Sequence, residues 1–148
     1  ISVRLVGSEM CIRDRESFLK DEVPVGAVVV KENKIIGSGR NTVIADNDVS
    51  SHAEINALRS ASKELNNFRL NGCSIYVTLE PCHMCAKAIV DARLDMLVFA
   101  AKEPKTGSIC SIDNFLENKA LNHSVKYKFG LSEDISANLL KDFFKQKR

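Results

Sequence analysis

The run CSIYVTLEPCHMCAKAIVDAR, Cys73 to Arg93, constrains the fold more than any other part of the chain. Cys73–Leu79 is a short, β-branched run and reads as a strand. Pro81 then opens a helix, at a position that tolerates proline, running through CAKAIVDAR. A strand that turns straight into a helix is the unit of a layered α/β domain. Cys82 and Cys85 are three apart, so both sulfurs lie on one side of the first helical turn. A C-x-x-C pair alone serves zinc fingers, redox motifs and ordinary helix starts. What this pair does depends on whether the rest of a site lies elsewhere.

Strand and helix signals alternate along the remainder. Val23–Val30 (VPVGAVVV) reads as a buried strand and is far too short to span a bilayer. Lys31–Lys34 (KENK) is a tight turn, and Ile35–Gly39 returns as the hairpin partner. RNTVIADNDVS reads as a polar loop. From Ser51 onward Ala57, Leu58, Ala61 and Leu65 recur at helical spacing, with Ser50 or Ser51 as N-cap. Met96–Ala101 is a second buried strand, and EPKTGS is a loop. Val125–Phe129 alternates as an edge strand would, with Lys126 and Lys128 outward. Ile135, Leu139, Leu140 and Phe143 mark a last helix. The chain has 148 residues, enough for one core that buries roughly two-thirds of the unfolded surface.

Residues 1–15 stand apart. Arg4–Arg15, RLVGSEMCIRDR, resembles the frame translation of a transposase-type sequencing adapter. We therefore read 1–15 as a non-native, adapter-derived segment and 16–148 as a single domain. On this reading the native start is replaced, with most of a first helix whose tail is ESFLKDE. Independent sequencing of the source locus checks this, and finding the same codons there contradicts it. The absence of a charged-then-apolar leader points to the cytoplasm. Five cysteines, an odd number without framework spacing, argue against a disulfide scaffold.

The second half of a site is found at HAE, His52–Glu54, where the other helix starts. A helix N-terminus carries partial positive charge, which favours a metal-binding thiolate. His52 with Cys82 and Cys85 gives zinc three protein ligands and an open position, the catalytic rather than the closed arrangement. In mid-helix, residues two apart point away from each other, but at an exposed helix start both reach one small volume. A structural zinc has no use for Glu54, whereas a hydrolytic zinc needs a group to move protons. Each residue alone has a plainer reading: buried cysteines, a helix-start histidine, a first-turn acid. The main competitor is a structural zinc completed by His83, Cys110 or His123. Cys73 and Cys110 read as packing or incidental, His83 as pointing elsewhere, and Met84 as core.

These residues resemble the tRNA-specific adenosine deaminases of the cytidine-deaminase superfamily, whose zinc signature is H-x-E…P-C-x-x-C. The resemblance runs from about Phe18 to Arg148 through EVPVGAVVV, HAEINAL, NFRL, YVTLEPCHMCAKAIVDAR, VFAA, PKTGS, LNH and LLKDFF. The zinc signature marks the superfamily; EVPVGAV, LNH and the terminal DFF mark the tRNA branch. The resemblance implies a three-layer α/β/α fold with a mixed five-stranded sheet and helices on both faces, one zinc per subunit, and a homodimer with its site near the interface. The implied reaction converts adenosine to inosine at the wobble position of a tRNA anticodon. His52, Cys82 and Cys85 would hold zinc and Glu54 would shuttle protons. Asn41 would contact the flipped nucleotide, Asn122 nearby RNA, and Lys105, Phe144 and Arg148 the anticodon loop. Departures are Glu103 where relatives carry aspartate, Arg40 for an aromatic residue, and Lys145 for arginine. The family's first helix, which packs on the sheet, is the larger departure.

A basic C-terminal end agrees with an RNA partner: Lys119–Arg148 holds seven Lys/Arg against three Asp/Glu in a chain of net charge +2. The same charges also suit a solvated helix end. Two other functions fit parts of the pattern. One is a deaminase of free guanine, cytosine or a nucleoside; the other is a non-catalytic, zinc-stabilised RNA-binding module. No segment reads as membrane-spanning.

Overall fold

A computed structural model of the chain describes residues 3–130. The expected last helix, with Phe144, Lys145 and Arg148, falls on residues outside the described range. Five strands, β1 (Gly26–Lys31), β2 (Lys34–Arg40), β3 (Cys73–Leu79), β4 (Met96–Ala101) and β5 (Lys126–Phe129), form one sheet in the order β2-β1-β3-β4-β5. β1 pairs antiparallel with β2 and β3, while β3, β4 and β5 run parallel. Four helices are described: α1 (Val3–Leu19), α2 (Val43–Asp46), α3 (Ala53–Leu65) and α4 (His83–Asp91). This is the mixed-sheet α/β/α architecture expected. None of the described helices is long and apolar enough to cross a membrane.

Alternation along the strands sorts the core into two faces. Ala27 and Val29 of β1, with Ile75, Val77, Leu97 and Phe99, pack beneath α3 and α4. Val28 and Val30, with Ala100, face the other way and meet Val6 and Met10 of α1. The β1–β2 turn is two residues, Glu32 and Asn33, both with positive φ (49° and 64°), which matches the twist of the flanking strands.

α3 lies closely against β2. A Cβ on Gly39 would stand 2.4 Å from the Ala57 nitrogen and 2.5 Å from the Ala53 oxygen. Ala53, Ala57 and Ala61, spaced by four, are fully buried along the helix face that meets the sheet. Gly39→Ala would drive α3, which carries the His52–Glu54 start, off the sheet. We expect a loss of at least about 3 kcal/mol in denaturant unfolding, and an unchanged midpoint contradicts the packing described.

Several local expectations are corrected. β1 begins at Gly26 rather than Val23, because Pro24 has no N–H to give to a ladder. The polar loop after β2 contains the short helix α2, whose Ile44 N–H donates to Glu22 Oε1 at 2.8 Å. The N-cap of α3 is His52, not Ser50 or Ser51. α4 begins at His83, because Cys82 is extended at φ −76°, ψ 177° and caps the helix from outside. Met84 is 37% exposed and is not core.

A first helix is present, over a segment expected to have lost most of one. Its buried stripe is Val6, Met10, Asp14 and Ser17, half of it polar, while Ile12 and Leu19 are exposed. One Asp14 carboxylate oxygen is buried without a hydrogen-bond partner. Burial pushes this carboxyl up to about 7, against lowering by Thr78 and Arg15. An acid raised on folding keeps a proton that the unfolded chain has already released. Stability therefore falls as pH rises from about 4 to about 7. Asp14→Asn should gain thermal stability over the parent at pH 8 and little at pH 4, and a pH-independent difference contradicts this.

Candidate active site

One end of the sheet gathers every element that matters. β3 ends there, β4 runs parallel to it, and antiparallel β1 and β2 respectively begin and end there. Ligands in open α/β sheets bind outside the carboxyl ends of parallel strands. The starts of α3 and α4 sit at this end, each capped by a residue whose side chain makes no capping bond: His52 and Cys82. Both side chains are therefore free to turn toward each other, and both helix N-termini aim positive partial charge at the same volume.

His52, Cys82 and Cys85 meet there. The His52 Nδ1 lies 3.7 Å from Cys82 Sγ and 3.5 Å from Cys85 Sγ. All three potential ligand atoms fall within 4.8 Å of one another. Tetrahedral zinc, with bonds near 2.3 Å to sulfur and 2.0–2.1 Å to nitrogen, places such a pair roughly 3.6 Å apart. The donor set and its spacing fit that ion. Among the described residues the cluster has three members and no fourth. His83 pairs instead with Asp113 at 2.5 Å, and the His123 Nε2 meets the Leu94 carbonyl at 2.6 Å. Cys110 is exposed, and Cys73 is buried in the core. The closed four-ligand arrangement is thus not formed by these residues.

The electrostatics suit metal binding. The Cys82 thiol is pulled down to about 4, first by the hydrogen bond from Cys85 and then by His52, which outweigh burial. Cys85 is raised, because it donates to Cys82 and is buried. The pair shares one proton and releases it when a cation takes its place. His52 is raised, chiefly by its bond to Cys82.

Glu54 occupies the second helical position of α3 and is 4% exposed. Burial pushes its carboxyl up to about 7, despite lowering by its own backbone amide and by His52. It lies against Cys85 and Cys82 without being needed as a ligand.

A pocket of about 200 Å³ opens over this cluster, with His52, Glu54 and Cys82 among its lining residues. Val23, Val25, Asn41, Leu79, Glu80, Glu103 and Thr106 complete most of the lining. Asn41, expected to meet a substrate, does face the pocket. Its Nδ2 donates to the Val23 carbonyl at 3.1 Å, and its Oδ1 accepts from the Val43 amide at 3.2 Å, so the amide is held in one orientation. Lys105 is exposed beside Thr106, its amide donating to Glu103 Oε1 at 2.9 Å. Asn122 is not brought to the pocket. Its Oδ1 accepts from Arg93 Nη1 at 2.8 Å, past the far end of α4 and roughly 13 Å along the helix from the cysteines. Glu22 and Glu80, both buried, escape a reading of the sequence, because the amides they accept from lie 22 or more residues downstream.

A mixed sheet with His-x-Glu at one helix start and Pro-Cys-x-x-Cys at the next defines a zinc-type nucleobase deaminase fold. Residues 8–148 match the MafB19-like deaminase family. The tRNA-specific adenosine deaminase of Aquifex aeolicus is 43% identical over 134 residues, covering 90% of this chain and 88% of the relative. That of Agrobacterium fabrum is 41% identical over 137 residues, covering 93% and 90%. A solved structure from work on A-to-I editing by tRNA:A34 deaminases at the wobble position of transfer RNA superposes with a TM-score of 0.90. It is 38% identical, and the match covers 93% of this chain and 99% of that one. The chain belongs to the tRNA-specific adenosine deaminase family.

Proposed function

We propose that the chain hydrolytically deaminates adenosine to inosine at the wobble position of a tRNA anticodon, with one zinc ion per subunit held by His52, Cys82 and Cys85. The observation that carries this reading is the meeting of three ligand atoms and one buried, unligated carboxylate beneath a single pocket. Zinc, when bound, supplies a water acidified to a pKa of roughly 7. Glu54 takes a proton from the attacking water, whose oxygen bonds to C6 of adenine. It then gives protons to the ring nitrogen and to the amino group, which leaves as ammonia; adenosine and water become inosine and ammonia. A carboxyl lifted toward neutrality is suited to both tasks.

Val23, Val25 and Leu79 exclude bulk water from the pocket, and the fixed Asn41 amide meets the extruded nucleotide. An anticodon loop presents bases already partly unstacked, so extrusion costs little. In this reading Lys105 and Asn122 meet RNA outside the pocket, as do Phe144 and Arg148. The working form is a cytoplasmic homodimer whose second subunit borders the site.

Ammonia release tests the substrate class. An anticodon stem-loop with adenosine at the wobble position is expected to react at least about a hundredfold faster, in kcat/KM, than free adenosine, guanine or cytosine. Faster reaction of a free base would replace this reading with that of a nucleobase deaminase.

A further inference from the structure

The loop after β4 is folded around a carboxylate. Glu80, the last residue before Pro81, is 2% exposed and faces residues 103–111. Three successive amides point at one of its oxygens: Ile109, Cys110 and Ser111 N–H donate to Oε2 at 3.0, 2.9 and 3.0 Å. The Glu103 amide donates to Oε1 at 3.2 Å, and the Ser111 hydroxyl donates to the same oxygen. Consecutive amides converging on an anion form a nest, here filled by the protein's own side chain. The fit leaves no slack: a Cβ on Gly107 would stand 2.4 Å from Glu80 Cδ. A second tie runs beside it, the Ser108 amide donating to the Pro81 carbonyl at 2.9 Å.

The same loop carries Glu103 and Thr106, which line the pocket together with Asn41. We propose that Glu80 is the positioning residue for this wall: its buried carboxylate anchors residues 103–111 and thereby fixes where a bound base meets Glu103 and Thr106. The anchoring rests on the hydrogen bonds alone; its consequence for substrate rests on the deaminase reading above. Glu80 precedes Cys82 by two residues, but its carboxylate is taken up by residues 103–111 and is not among the clustered ligand atoms, so the wall and the ligands are separately removable.

Glu80→Gln keeps shape but puts an N–H₂ group where donors converge. Amide exchange at Ile109, Cys110 and Ser111 should quicken by about tenfold or more, since hydrogen bonds to charged groups are the strong ones. Zinc content should match the parent. With the anticodon stem-loop, KM should rise about tenfold and kcat change by less than about threefold. Ser111→Ala removes one donor only and should shift exchange and KM in the same directions by smaller amounts; it serves if Glu80→Gln does not fold. Unchanged exchange at the three amides overturns the anchoring. Faster exchange with KM and kcat both at parental values overturns the role in substrate positioning. A parent enzyme inactive on RNA counts against the functional reading, and amide exchange then still decides whether Glu80 anchors the loop.

Discussion

Glu54→Ala is expected to bind zinc as the parent does, to melt at or above the parent's temperature, and to lose at least about a thousandfold in kcat. The three parts follow from one geometry. Glu54 is buried against the cysteines but is not among the three ligand atoms, so its loss leaves the metal site whole. Removing a carboxyl that burial has raised relieves desolvation rather than breaking a salt bridge. Only the proton path is lost. Zinc measured by atomic emission, melting by circular dichroism and ammonia release by a coupled assay read the three parts separately. Parental turnover would remove Glu54 from the chemistry, and loss of zinc would make it a ligand.

Cys85→Ala should do the opposite: fail to retain zinc and lose turnover with it. Cys85 is fully buried in the first turn of α4, 3.5 Å from His52 Nδ1, and no other described side chain joins the cluster to replace it. Zinc at a thousandfold over its dissociation constant stabilises the fold by about 4 kcal/mol. Its loss should therefore lower the melting temperature by roughly 10 °C in a chain of this size. A chelator should move the parent by a similar amount and leave Cys85→Ala where it is. A chelator-insensitive parent would contradict the metal site.

What was legible in the sequence was local. β3 and β4 fall on the expected residues, because a β-branched run between polar boundaries needs no distant partner to declare itself. The cluster of His52, Cys82 and Cys85 was legible for the same reason: its three residues lie at two helix starts, where short motifs fix direction. The exact starts were less so. Pro81 suggested the first turn of α4, but the extended backbone at Cys82 moved the helix two residues on. The serines before α3 are good caps, yet Ser51 is buried with its amide donating to the Asp48 carbonyl at 3.1 Å, and His52 takes the capping position.

Long-range function was not legible. Glu80 reads locally as a charge between a strand and a proline; its meaning lies in amides about thirty residues later. Asn122 shows the same limit, since a tripeptide motif says nothing of Arg93, which donates to its side-chain oxygen. α1 shows a further limit. A stripe holding Asp14 is a poor match for the apolar face of β1, and no periodicity marks the helix there. That mismatch accords with our proposal that residues 1–15 are foreign to the domain formed by 16–148.

Deamination of tRNA is decided by nucleoside mass spectrometry of tRNA lacking inosine, incubated with the zinc-loaded full chain and, in parallel, with Glu54→Ala. Inosine is expected at the wobble position with the parent and none with the variant. Folded, zinc-bound parent protein that yields no inosine would contradict the proposed function.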